Sequence, residues 1–319
     1  MGCKCTRDEV SPLKGAQKTT RIRPQRARKD SFGGEDTRID EIVPNQKNPI
    51  TNRTKDEERE EKLTNLINMA LAADNRALNL FHRDLGDHGV EILSHYSISR
   101  LEQLELCSNE ISDAGILILS MVTAWPNLAS LELRFNNIGS KGAAALARNN
   151  SWTKLALLDL SGNNIGDEGA TALSKKDSWV HLNSLLLGSN SIGSEGATAL
   201  GQNNSWVHLT TLCLSKNKIG DRGAAGLGMN NAWENLTTLV LYDCAIGTEG
   251  AIELSKNETW KNLRELRLGE NPIGAEGAIG LSKNEGWSKL RTLDLSNSHI
   301  DEEEKLKLRN RWQNLELVS

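Results

Sequence analysis

The chain has 319 residues, 38% of them hydrophobic and 25% charged, enough apolar material for a sizeable core, so wholesale disorder is excluded. No window approaches 18 consecutive apolar residues and the first six, Met1 to Thr6, have no apolar stretch, so neither a membrane-crossing helix nor a secretory signal is expected. The five cysteines, at 3, 5, 107, 213 and 244, show neither Cys-x-x-Cys nor zinc-ligand spacing, which argues for a reducing compartment and against a disulfide framework or metal site.

The net charge of −4 is unevenly spread. Residues 1–55 carry 13 Lys/Arg against 7 Asp/Glu, a net of +6, which leaves −10 for the remainder. At the amino terminus Met1-Gly2-Cys3-Lys4-Cys5-Thr6 matches the pattern for N-myristoylation at Gly2. One myristoyl chain binds a bilayer only marginally, with a constant of about 10⁴ M⁻¹, so stable anchoring takes a second signal. Two are at hand: thioacylation of Cys3 or Cys5, and attraction of Lys14, Lys18, Arg21, Arg23, Arg26, Arg28 and Lys29 to an anionic leaflet. Residues 1–53, poor in large apolar groups and with prolines at 12, 24, 44 and 49, are expected to form a disordered basic tail. Thr54-Lys55-Asp56-Glu57 then reads as a capping box that opens a helix over 54–74, with Leu63, Leu66, Ile67, Ala70 and Leu71 on one face. That helix is placed as an amino-terminal cap.

From residue 75 to 319 the sequence repeats itself. Seven tryptophans, at 125, 152, 179, 206, 233, 260 and 287, are 27 residues apart, and an eighth follows at 312. Each of the seven leads into Leu-x-x-Leu-x-Leu-x-x-Asn-x-Ile-Gly-x-x-Gly-Ala-x-x-Leu or a close variant of it; one copy is Leu155, Leu158, Leu160, Asn163, Ile165, Gly166, Gly169 and Leu173. The register extends back to Leu78 and forward to Leu308, giving about nine units and a closing fragment. Leu-x-Leu alternation predicts a short strand with one face buried, and runs such as 142–148 predict a short outer helix. Six large apolar side chains cannot offset the ordering of a whole unit, so neighbours must share a core. The Asn column is expected to hold buried amides against unpaired backbone groups, with Cys244 as a substitute. The glycines after Ile or Leu, and those three later, are expected to serve positive φ or close backbone approach.

These units resemble leucine-rich repeats, and the 27-residue length with a Gly-x-x-Gly-Ala helix start is similar to the ribonuclease-inhibitor subclass. The resemblance implies an α/β solenoid, a curved parallel sheet with outer helices. It implies a protein-binding surface, and it also admits a small-GTPase regulator of the Ran GTPase-activating kind, an immune or signalling regulator, or a wrapping inhibitor.

What every unit shares is architectural, so a partner-specific surface is sought where units differ. The middle position of Leu-x-Leu reads Asn79, Glu105, Glu132, Asp159, Leu186, Cys213, Val240, Arg267 and Asp294. Three acids therefore stand on adjacent strands about 4.8 Å apart, which favours a basic ligand unless Arg134 and solvent neutralise them. Phe81, Phe135 and Tyr242 fall just past the strands, where aromatic residues serve as contact anchors or pack under loops. The proposed contact surface is Phe81, Glu105, Glu132, Arg134, Phe135, Asp159, Tyr242 and Arg267. His181 and His208, beside successive tryptophans, are read as packing residues, and Asn149, Asn203 and Asn257 as Asn-x-Ser/Thr sites recurring with the repeat. No Walker, His-Glu-x-x-His or Gly-x-Ser-x-Gly motif occurs. The sequence thus predicts a non-enzymatic, lipid-anchored adaptor, monomeric, with no cofactor, metal or nucleic acid, on the cytoplasmic face of a membrane or in the cytoplasm if unacylated. Its partner would be a protein, through a basic segment or as a small GTPase.

Overall fold

The computed structural model describes residues 55–73 and 75–319. Gly2, Cys3, Cys5, the seven basic residues from Lys14 to Lys29, and Thr54 of the capping box lie outside them. Helix α1 (Lys55–Ala73) buries Leu63 and Ile67, and Leu66, Ala70 and Leu71 pack against the same core. No described helix is long and apolar enough to cross a membrane.

Ten three-residue strands follow: β1 (Ala77–Asn79), β2 (Gln103–Glu105), β3 (Ser130–Glu132), β4 (Leu157–Asp159), β5 (Ser184–Leu186), β6 (Thr211–Cys213), β7 (Thr238–Val240), β8 (Glu265–Arg267), β9 (Thr292–Asp294) and β10 (Glu316–Val318). They form one parallel sheet in chain order. Between them run α2 (Gly86–Ser94), α3 (Asp113–Ser120), α4 (Ser140–Arg148), α5 (Gly166–Ser174), α6 (Ser194–Gly201), α7 (Gly220–Gly228), α8 (Thr248–Ser255), α9 (Gly274–Ser282) and α10 (Glu302–Arg311). The expected α/β repeat solenoid is the fold of the described residues.

The register explains why one unit cannot stand alone. Leu78, Leu104, Leu131, Leu158 and their successors pair directly across neighbouring strands and are at most 1% exposed from Leu78 to Leu293. The seven 27-spaced tryptophans are equally closed, so each unit's core is completed by the next. Trp125, Trp206 and Trp312 donate their indole N–H to the carbonyls of Tyr96, Lys176 and Trp287. The indole nitrogens of Trp152, Trp179, Trp233, Trp260 and Trp287 are buried without a hydrogen bond, a desolvation cost outweighed by the burial of the ring.

The Asn column does what its position requires. Asn217 accepts from the backbone N–H of Asn190 and Ile192 and donates to the carbonyls of Leu187 and Leu214. Cys244 fills the same place, its Sγ 3.2 Å from Leu214 O. A second amide ladder was hidden in the sequence. Asn149, Asn203, Asn230, Asn257 and Asn284, all at most 4% exposed, donate back to the preceding unit and accept from the residues that lead into the next tryptophan. The recurring Asn-x-Ser/Thr tripeptides are therefore structural, with the amide turned inward. Lys176 replaces Asn in one unit: its ammonium donates to Asn149 O at 2.6 Å and lies 5.7 Å over the Trp179 ring. Burial holds its pKa below the usual lysine value.

The glycines after Ile or Leu are not uniform. Gly166, Gly220 and Gly274 have φ near +60°, whereas Gly139, Gly193 and Gly247 are extended helix caps with φ near −100°. The two forms alternate along these units. In the extended units the helix start is held by an aspartate from the unit before. Asp113 accepts from the N–H of Gly139 and Gly142, Asp167 from Gly193 and Gly196, and Asp221 from Gly247 and Gly250, at 2.6–3.0 Å. A Cβ at Gly196 would sit 2.6 Å from Asp167 Oδ1, so the absence of a side chain there admits the carboxylate.

Candidate binding face

The outward row predicted from the sequence is in register. Asn79, Glu105, Glu132, Asp159, Leu186, Cys213, Val240, Arg267 and Asp294 are successive partners across the sheet, and Val318 extends the row. Their environments differ. Asn79 is exposed, Glu105 and Glu132 are half-buried, and Asp159 is 3% exposed. Leu186 is half-buried, and Cys213 and Val240 are closed over. Arg267 folds along its own strand to meet Glu265 at 2.5 Å.

The acidic stretch has its own wiring. Asn79 Nδ2 donates to Glu105 Oε2 at 2.5 Å. Asp159 Oδ1 accepts from Ser161 N at 2.9 Å, and Arg134 Nε stands 3.8 Å from Asp159 Oδ2. Burial pushes the Asp159 carboxyl up to about 6, opposed by Ser161 and Arg134 and assisted by the charge of Glu132. Glu132 is raised by burial and then by Glu105. Arg134 pairs with Asp159 and its charge also acts on Glu132, while neither Glu105 nor Glu132 forms an ion pair among the described residues.

Six segments, 126–147, 153–174, 180–201, 207–228, 234–255 and 261–282, match a family model described as leucine-rich repeat. These units are leucine-rich repeats. A leucine-rich-repeat protein of Leptospira interrogans is among the similar solved structures, at 19% identity and a TM-score of 0.44; the match covers 72% of this chain and 62% of that one. This chain thus spans under two thirds of the Leptospira protein's length. No curated protein shows significant sequence similarity. Leucine-rich repeats generally serve as protein-binding scaffolds.

The aromatic residues of the proposed surface do not share one place in the repeat. Phe81 and Tyr242 occupy the same position as Arg134, two past the outward residue that ends each strand, whereas Phe135 is one later. Phe81 and Phe135 are about half exposed, at 50% and 52%, and Tyr242 is half-buried. Phe135 has φ +54°, at a position that is left-handed in every one of the nine units. Its ring lies across Gly162 of the next leucine-rich repeat, where a Cβ would come within 2.4 Å of it. The Arg134 guanidinium sits 5.3 Å above the same ring.

Cys107 escaped the sequence reading. Two residues past Glu105, it faces the acids: the ligand atoms of Glu105, Cys107 and Glu132 lie within 4.8 Å of one another. Burial, with the three acidic charges adding, pushes the thiol up to about 12. The trio offers two hard carboxylates and one thiol, a mixed donor set. His181 and His208 correct the packing assignment: both are exposed, and their rings stack with centroids 6.4 Å apart.

Proposed function

We propose that this chain is a membrane-anchored, non-enzymatic scaffold that holds a protein partner on the outward face of its sheet. The observation that carries the reading is the row from Asn79 to Asp294, which changes chemistry from strand to strand above a constant leucine column. A row of in-register side chains that differ from strand to strand is suited to reading an extended partner. The acyl anchor rests on Gly2, Cys3 and Cys5 and on the basic residues from Lys14 to Lys29, and the −10 charge of residues 56–319 keeps the repeats off an anionic leaflet while the tail engages it.

The scaffold is tested by capturing partners from a cell lysate with the intact chain and with Glu105→Lys/Glu132→Lys. Asp159 is left in place because it is buried. Partners lost only with the variant support the reading; a partner set indifferent to both this variant and Leu186→Asp sinks it. On the same reading, added chain leaves GTP hydrolysis by a panel of small GTPases unchanged. For the anchor, Gly2→Ala is expected to move the protein to the soluble fraction, with an acyl mass present on the native amino-terminal peptide and missing from the variant.

A further inference from the structure

Resting on the scaffold reading, we infer that the β1–β4 end of the face takes an arginine side chain of the partner, its guanidinium bridging Glu105 and Glu132 and its segment running alongside Phe135. Glu105 and Glu132 stand on adjacent strands about 4.8 Å apart, with carboxylate oxygens within 4.8 Å of each other, a gap that a planar guanidinium can bridge with donors on both of its edges. A lysine ammonium, compact and strongly hydrated, lacks both that span and a flat face for stacking. The chain itself displays the chemistry: Arg134 lies 5.3 Å over the Phe135 ring while its Nε stands 3.8 Å from Asp159. That internal guanidinium occupies the Asp159 end of the row. The charge of Arg134 reaches Glu132, but among the described residues neither Glu105 nor Glu132 forms an ion pair, so two carboxylates stand against one guanidinium already paired with Asp159 and charge complementarity selects a cationic segment. Phe135 is half exposed and fixed in place across Gly162, so its free edge is available without rearrangement.

The test uses the full-length chain and two nine-residue peptides, one of alternating Arg and Gly and one of alternating Lys and Gly, titrated by calorimetry at low salt. The arginine peptide is expected to bind at least fivefold more tightly than the lysine peptide. Glu105→Gln/Glu132→Gln should weaken it at least tenfold, and Phe135→Leu should remove most of the arginine preference. Glu102→Gln, which removes the acid already paired with Arg76 at 3.6 Å, should change affinity less than twofold. Equal affinity for the two peptides, or equal losses for Glu102→Gln and the double variant, overturns the arginine assignment and leaves the scaffold standing. Micromolar zinc that displaces the peptide and is itself lost with Cys107→Ser makes the cluster an ion site and also overturns it. The scaffold reading falls by a separate result, lysate partners that ignore substitutions on the face.

Discussion

The carboxylate of Asp167 holds the amide of Gly196 at 2.7 Å, although the two residues begin different helices in different units. The same oxygen also accepts from Gly193 at 2.8 Å. A helix start leaves amide hydrogens without partners, and a carboxylate there both accepts them and complements the helix dipole. Asp167→Ala is therefore expected to destabilise the repeats by about 1–2 kcal/mol, in the range of a lost helix cap. Urea unfolding of variant and parent measures this, and a loss indistinguishable from that of an exposed surface change would refute the cross-unit cap.

Asn217 makes at least four hydrogen bonds, three of which join it to the preceding unit. Replacing it with alanine leaves buried backbone groups on both sides unpaired, at about 1–3 kcal/mol for each such group. Asn217→Ala should thus be far more damaging than Asp167→Ala, as read by the same urea unfolding curve. Asn217→Cys should be milder, since Cys244 already holds the equivalent place.

Asp159 gives the fold a defined pH response. Its folded-state carboxyl is raised to about 6 from an ordinary value of 3.8, so the native chain binds this proton more tightly than the unfolded chain. Stability from this group therefore increases as pH falls from about 7 through 6 towards 4, and levels off once the unfolded state is protonated too. Asp159→Asn should flatten that slope and raise the Tm at pH 7, read by thermal denaturation across this range. A parent protein whose stability drops steadily between pH 7 and 5 while the variant's does not would contradict the assignment.

Cys107, Cys213 and Cys244 are buried, and burial pushes Cys107 and Cys244 up to about 12. A protonated, covered thiol is a poor nucleophile. In the native protein these three should resist iodoacetamide for hours and then alkylate together in urea, as followed by peptide mass spectrometry. Rapid native labelling of Cys107 would show that the row beside it opens.

Ala245 sits at φ +56°, a left-handed conformation that an alanine adopts at a cost of roughly 1 kcal/mol. Ala245→Gly is expected to be neutral to mildly stabilising, because relief of that strain is set against the greater freedom of glycine in the unfolded chain. The equivalent Pro272, one unit on, has no such positive φ, and Ala245→Pro, which cannot adopt the left-handed φ found there, should prevent the unit from closing.

The leucine and tryptophan columns were readable from spacing alone because each answers to one constraint, burial against an identical neighbour. The register of the outward row followed from the same period. The second amide ladder was not readable: Asn149, Asn203 and Asn257 look like sequons, and only the direction of the amide separates the two meanings. The caps from Asp113, Asp167 and Asp221 were invisible for a different reason, since each joins residues 26–29 apart that a unit-by-unit alignment assigns to separate copies. At the face, the sequence could place three acids side by side but not rank them. Depth of burial is what gives Asp159 to Arg134 and leaves Glu105 and Glu132 facing outward.

The alternation of helix starts fixes the grain in which this protein can lengthen or shorten. Excision of residues 152–205 would bring α4 against α7, and excision of 152–178 would bring α4 against α6, whose Gly193 and Gly196 then meet Ser140 where Asp167 used to be. Single-unit splicing across that boundary orphans a helix start, so the natural cassette for duplication, grafting or trimming is a couple of adjoining copies, an acidic one and the one it props up.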